Sequence, residues 1–223
     1  MGWREVIGAV LDAEPRPAKV RRQQPPRRSE PRADAPAEPP ERVWSGKVFD
    51  QIEWRRFEAV CEALFAQSGM RTESQSHGAD GGVDIWLWSA HSDKPLIVQC
   101  KHWKKRVVGV KEVREFYGVL KSHDLTYGTF ATSSSFSHDA LDFAHANRIN
   151  AQDRNGLLRL IAGRTQEQQR ALLQTAYEGE YWKPTCVKCG VKMVLRQKKD
   201  GSASFWGCPN YGKTRCSSMM KVA

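Results

Sequence analysis

The chain has 223 residues, enough for one ordinary domain and a small companion, and a formal net charge of +10. No stretch approaches the roughly 18 consecutive apolar residues of a membrane span, which excludes a helical membrane protein. The charge is uneven: Met1–Arg42 carries nine Lys/Arg against seven Asp/Glu, Val43–Glu180 has seventeen of each, and Tyr181–Ala223 has nine against one. That last segment points to a nucleic-acid partner.

Met1–Leu11 lacks a secretory core, so a cytoplasmic protein is expected. Trp3–Leu11 has the length for a turn or two of helix. Eight of the eleven prolines then fall between Pro15 and Pro40, with Arg, Ala and Glu between them. Such a segment cannot bury enough apolar surface to offset its ordering entropy, so residues 1–42 read as a disordered Pro/Arg-rich tail. Nearby acids nearly cancel Arg21-Arg22 and Arg27-Arg28, which favours a solvated spacer over a phosphate contact.

Residues 43–162 read as the central domain. The first helix is expected over Ile52–Ser68, with Trp54, Phe57, Cys61, Leu64 and Phe65 on one stripe and Gly69 ending it. Glu58 lies at the edge of that stripe, where an acid is costly unless something pairs with it. An arginine partner or an oxygen cage would each serve. Met70–Ser76 reads as a short strand leading into a glycine loop that holds His77 and Asp80. The histidine reads as an ordinary hydrogen-bonding residue or a catalytic accessory, and Asp80 as a turn-former or a second acid.

Val83–Trp88 and Leu96–Cys100 read as a hairpin, with the turn signal at His91–Pro95. A turn centred on Ser92 and Asp93 puts Asp84 opposite Lys101 and Trp86 opposite Gln99. Alternation sends Gln99 and Lys101 to one face, Val98 and Cys100 to the other. A carboxylate, an amide and an ammonium then converge at one end of the hairpin. A hard divalent cation takes oxygen ligands, and a lysine beside it can orient a water or steady a phosphate. The plainer alternative is a strand acid paired with a strand lysine on a solvated face. Gly78, Gly81 and Gly82 weigh against it, because glycines there suggest close backbone approach.

His102-Trp103 with Lys104, Lys105 and Arg106 follows the hairpin and suits a phosphate backbone or a solvated turn. Helices are expected over Val110–Leu120 and Phe136–Asn147, and strands over Tyr127–Thr132 and Ile149–Asp153. The hydroxyls of Ser133–Ser135 suit holding a substrate strand or capping the helix that follows, and capping is favoured. Leu157–Ile161 is a further apolar run. A connecting helix over Thr165–Glu178 fills most of residues 163–180. The fold class is α/β, a mixed β-sheet flanked by helices, plus a small C-terminal module.

Several blocks in this order resemble the Mrr-type restriction endonuclease domain of the PD-(D/E)XK nuclease superfamily. They are Phe57-Glu58, Gly78-Ala79-Asp80-Gly81-Gly82-Val83-Asp84, Val98-Gln99-Cys100-Lys101, Val110–Gly118 and Phe130-Ala131-Thr132 with Phe136-Ser137. The resemblance spans about Trp54 to Ile161. It implies a restriction-endonuclease-like core and a Mg²⁺-dependent DNA endonuclease. Asp84, Gln99 and Glu58 would bind the metal, and Lys101 would be the catalytic lysine. Gln99 stands where most of the superfamily has an acid and the Mrr branch has Gln. The proline that names the superfamily is replaced by Val83.

Residues 181–223 carry four of the six cysteines: Cys186 and Cys189, then Cys208 and Cys216. Their spacing suits one tetrahedral Zn²⁺, and in a reducing compartment clustering favours metal over disulfides. Met193–Arg196 and Ser204–Trp206 alternate as strands. This resembles the C-terminal zinc ribbons of bacterial type I topoisomerases, although the last knuckle is longer than in that family. Lys192, Arg196, Lys198, Lys199 and Lys213 supply charge for DNA. Trp206 and Tyr211 suit stacking on unpaired bases, while Phe205 reads as core.

Three functions remain on these residues. The first is a Mg²⁺-dependent endonuclease of restriction type with a DNA-binding zinc ribbon. The second is a repair or junction-resolving nuclease on branched or single-stranded DNA. The third is a non-catalytic DNA-binding protein that keeps the fold. A double-strand cut needs two active sites, so a homodimer goes with the first. No membrane partner is expected.

Overall fold

The computed structural model describes residues 35–74 and 82–222. The expectations for the tail up to residue 34, for His77 and Asp80, and for most of the glycine loop lie outside them.

The central sheet has five strands, β1 (Arg71–Ser74), β2 (Ile85–Trp88), β3 (Leu96–Lys101), β4 (Gly128–Thr132) and β5 (Ile149–Gln152), in the order β1-β2-β3-β4-β5. The first three run antiparallel, and β4 and β5 continue parallel from β3. Alternation along the strands splits the apolar residues between two layers. Ile85, Leu87, Val98 and Cys100 pack against α1 (Gly46–Gln51), α2 (Trp54–Ala66), α5 (Arg154–Ala162) and α6 (Gln166–Ala176). Ile97, Phe130 and Ile149 pack against α3 (Val110–Ser122) and α4 (His138–Ala146). Fully buried Phe116 meets Phe130 edge-on at 5.7 Å between ring centroids. Truncating either ring to Ala would cost about 3–5 kcal/mol. The mixed sheet flanked by helices is the fold class expected from the sequence.

The element boundaries correct several expectations. The helix expected over Ile52–Ser68 is present as α2, starting at Trp54, and a short helix that was not expected, α1, precedes it, capped by Ser45 and ended by the extended backbone of Ile52. Ser133–Ser135 do not cap α4; Ser137 does, accepting from Ala140 N–H at 3.2 Å. Ser133 is instead fully buried beside the end of β3, and its N–H donates to the Lys101 carbonyl. Leu157–Ile161 lies inside α5, capped by Asp153. The segment before α1 is tied to the core, as Glu41 N–H donates to the Tyr177 hydroxyl at 2.9 Å and Gln51 Nε2 to the Pro39 carbonyl at 3.0 Å.

The C-terminal module is a three-stranded antiparallel sheet of β6 (Val194–Gln197), β7 (Ser204–Gly207) and β8 (Met219–Lys221), with a four-residue helix α7 (Tyr211–Thr214). Strand β8 has only three residues, too few for a readable alternation.

Candidate active site and cysteine cluster

The β2–β3 hairpin carries the candidate site. Ile85 pairs with Val98 and Trp86 with Ile97, so the ladder places Asp84 beside Gln99 rather than opposite Lys101. The register is two residues off the sequence expectation because the turn closes nearer Ser89. Ser92 N–H donates to the Ser89 carbonyl, and His91 N–H to the Ser89 hydroxyl at 3.2 Å. An even shift preserves faces, so Gln99 and Lys101 stay on one side of their strand, and Asp84 lies just before the first paired residue of the other.

Asp84 sits where the ladder ends. Its N–H donates to the Val98 carbonyl at 3.0 Å, and its carboxylate Oδ2 accepts from Cys100 N–H at 2.6 Å. Gln99 is 8% exposed. Gly82, the one of the three loop glycines within the described residues, has φ +88°, and a Cβ there would lie 3.2 Å from both Gln99 Nε2 and Val119 Cγ2. The backbone approaches the amide of Gln99. The Lys101 carbonyl accepts from the Thr132 hydroxyl at 2.8 Å, Trp103 N–H at 3.0 Å and Ser133 N–H at 3.4 Å. Three donors on one carbonyl fix the backbone from which the lysine side chain projects.

Glu58 reaches this group from α2. Burial first, and then the Asp84 carboxylate, push its pKa from 4.5 up to about 8, while Arg55 and Lys101 pull it down. The Asp84 carboxylate thus lies within electrostatic reach of Glu58 across the α2–hairpin junction. A divalent cation fits that donor set, since it would replace the proton the pair otherwise retains.

The Mrr_cat family, described as Restriction endonuclease, matches residues 49–161, just over half of the chain. The chain belongs to this restriction endonuclease family. A relative in Escherichia coli (strain K12), the Type IV methyl-directed restriction enzyme EcoKMrr, is 34% identical over 103 residues. That match covers 43% of this chain and spans only 33% of the relative's length. Among solved structures, the MspJI restriction endonuclease in complex with a 27-mer oligonucleotide gives a TM-score of 0.42 at 20% identity, over 63% of this chain and 35% of that one. The DNA modification-dependent restriction endonuclease AspBHI gives 0.42 at 20%, over 59% and 38%. Likenesses this slight carry no functional weight.

The Mrr_cat region ends before the cysteines, so the module is judged by its own geometry. The sulfurs of Cys186, Cys189, Cys208 and Cys216 all lie within 4.8 Å of one another. Cys186 Sγ and Cys216 Sγ are 3.7 Å apart. A tetrahedron with Zn–S bonds of about 2.3 Å has edges of about 3.8 Å, so the donor set fits zinc. Helix α7 occupies the long last knuckle, and Arg215 in the left-handed region (φ 55°) turns the chain so that Cys216 returns to the cluster. Hydrogen bonding by Ser218 pulls the Cys216 thiol down, while burial pushes that of Cys208 up, so the four thiols share their protons unequally.

Several residues expected to contact DNA are engaged within the protein. Lys104 Nζ donates to the Asp50 carbonyl at 2.5 Å, and burial lowers its pKa. Arg106 pairs with Glu112 at 2.8 Å and lies 4.0 Å over the Trp103 ring. Lys192 Nζ donates to Glu53 and to the Lys183 carbonyl. Trp206 packs on the cysteine cluster, whereas Phe205 lines an open cleft of about 590 Å³ with Tyr211 and Met219. Adjacent strand residues face opposite ways, and the register reverses the roles expected of these two aromatics. Lys105, Arg196, Lys198, Lys199, Lys213 and Tyr211 are exposed.

Sequence reasoning missed Glu53 and the structural use of His102. His102 Nε2 lies 3.0 Å from the Ile52 carbonyl, and its ring stacks on Phe57 at 5.1 Å. Burial holds its pKa down at about 3, so the ring is neutral and donates that hydrogen bond. Its place next to Lys101 was the available signal.

Proposed function

We propose that this chain is a Mg²⁺-dependent DNA endonuclease whose site is Asp84, Gln99, Lys101 and Glu58, with a zinc-binding module that contacts DNA. The arrangement that carries the reading is the Asp84 carboxylate anchored on Cys100 N–H at the end of the ladder, with buried Gln99 and then Lys101 on the paired strand and Glu58, its pKa raised first by burial and then by Asp84, on α2. A buried acid whose pKa is pushed up near a second carboxylate has a charge pattern that a divalent cation relieves. Asp84, the Gln99 carbonyl and Glu58 would hold Mg²⁺, which when bound polarises a phosphoryl oxygen and acidifies a water. Gln99 contributes a neutral oxygen, so the set carries less negative charge than three acids, and a DNA phosphate completes it. Lys101 places its ammonium against the charge that develops on the phosphate oxygens.

The module supports the reading through its charge and its cleft. Arg196, Lys198 and Lys199 rim the space lined by Phe205 and Tyr211. Cations beside aromatic faces suit phosphates with unpaired bases between them. This cleft favours a second reading, a nuclease on branched or single-stranded DNA. The methyl-directed character named for EcoKMrr makes modified duplex DNA the first substrate to offer, and a homodimer the form that cuts both strands.

The test is a nicking assay with Mg²⁺ on plasmid, methylated and branched DNA. Wild type is expected to cut, and Lys101→Ala to lose about 10²–10³-fold in rate with unchanged DNA affinity. The substrate cut fastest decides between restriction and branch resolution. Binding without cleavage on every substrate would make the chain a DNA-binding protein and end the nuclease reading.

A further inference from the structure

Glu53 is 5% exposed, an acid buried at the junction of α1 and α2. It occupies the N-cap position of α2, yet its side chain makes no cap. The carboxylate reaches into the cysteine module instead. Oε2 accepts from Thr185 N–H at 3.1 Å, and Oε1 accepts from the Thr185 hydroxyl at 3.2 Å and from Lys192 Nζ at 3.2 Å. Glu53 N–H donates to the Tyr181 carbonyl at 2.7 Å. Trp54 Nε1, on the next residue, donates to the Thr185 carbonyl at 2.7 Å. Five hydrogen bonds thus pass from two adjacent residues to the module, and Thr185 directly precedes Cys186. On the other side, the Ile52 carbonyl receives His102, the residue after Lys101. The strand carrying Lys101 and the module carrying the cysteines are anchored to three consecutive residues.

We propose that Glu53 is a specificity-determining positioning residue, which locks the module onto the nuclease core so that the module's DNA contact and the cut phosphate keep one separation. The inference rests on the nuclease reading above. An apolar contact could hold the two parts together but would tolerate sliding. A buried carboxylate with directional donors on both oxygens specifies one orientation, because any slip leaves the buried Glu53 charge without its donors. Arg56 adds a contact in the same region, pairing with Glu178 in the link between α6 and the module. The scissile position is then set by the length of a rigid body.

The experiment uses the full-length, zinc-supplied chain. Backbone ¹⁵N relaxation should give the core and the module one shared rotational correlation time in wild type. In Glu53→Ala the module should tumble faster than the core, and Thr185→Val, a milder change, should show the same loss in part. On end-labelled DNA, wild type should cut at one dominant offset from the module's footprint. Both variants should cut over a wider range of offsets. The Glu53→Gln variant, which keeps an acceptor for Thr185, should restore most of the wild-type distribution. A shared correlation time in both Glu53→Ala and Thr185→Val overturns the lock. Separate tumbling with an unchanged offset overturns the specificity role. If wild type cuts no DNA, the nuclease reading fails and the offset goes with it, while the correlation times still decide whether Glu53 docks the module.

Discussion

The candidate active site and the cysteine cluster are built in opposite ways. Four sulfurs come from one short module, and the spacing of the chain nearly suffices to gather them. Glu58, Asp84, Gln99 and Lys101 come from a helix, the residue before a strand, and a neighbouring strand, and only packing brings them together. If the four sulfurs hold zinc, as proposed, the module would depend on that metal for its fold, since so small a sheet buries little apolar surface. The candidate active site depends on the core for its shape, since its strands and helices are held by two apolar layers. Removing metal should damage the two regions differently.

The largest effect expected is on the module. Cys216→Ser, or a strong zinc chelator, should abolish stoichiometric zinc and unfold residues 185–222, because structural zinc contributes about 10–16 kcal/mol in small modules. The core should keep its helical circular dichroism. Zinc analysis with amide spectra checks both, and a module that stays folded without zinc breaks the comparison.

The next effect is on pH dependence. The folded pKa of Glu58, about 8, lies above its ordinary 4.5, so folded protein retains a proton that unfolded protein has released. Without divalent metal, that contribution to stability is full below about 4.5 and is lost as pH rises through about 8. Glu58→Gln should flatten this part of the Tm–pH curve. Mg²⁺ should oppose the loss in wild type, since it takes the proton's place. Identical metal-free curves for wild type and Glu58→Gln would remove Glu58 from the acid pair.

The smallest effect sharpens the local geometry. Gly82→Ala should cost about 1–2 kcal/mol for a side chain in left-handed backbone. Its Cβ should also push against the Gln99 amide, lowering cleavage more than stability alone explains. Thermal melts beside nicking rates separate these, and a variant with wild-type Tm and rate argues against close approach at this loop.

Much of the core is legible in the residue pattern. Phe57, Cys61 and Leu64 recur at helical spacing and are buried on α2, and Val113, Phe116 and Leu120 do the same on α3. The hairpin is readable as two apolar runs about a polar turn, but its register is not, because Ser89 and Ser92 both offer plausible closures. The roles of Phe205 and Trp206 stay open for a related reason: alternation says they differ, and only packing says which faces the cluster.

By itself, the sequence determined most elements of the central domain, though not α1, together with the four-cysteine spacing and the candidate site residues. Each of those is encoded within a few neighbouring positions, through periodicity, turn chemistry or knuckle length. Only the tertiary structure decided that Glu58 lies within electrostatic reach of Asp84, that Lys104 and Lys192 are used inside the protein, and that Glu53 clasps the module. Those contacts join residues far apart in the chain. A buried charge takes its meaning from whatever the fold sets opposite it, and nothing in the local pattern names that partner.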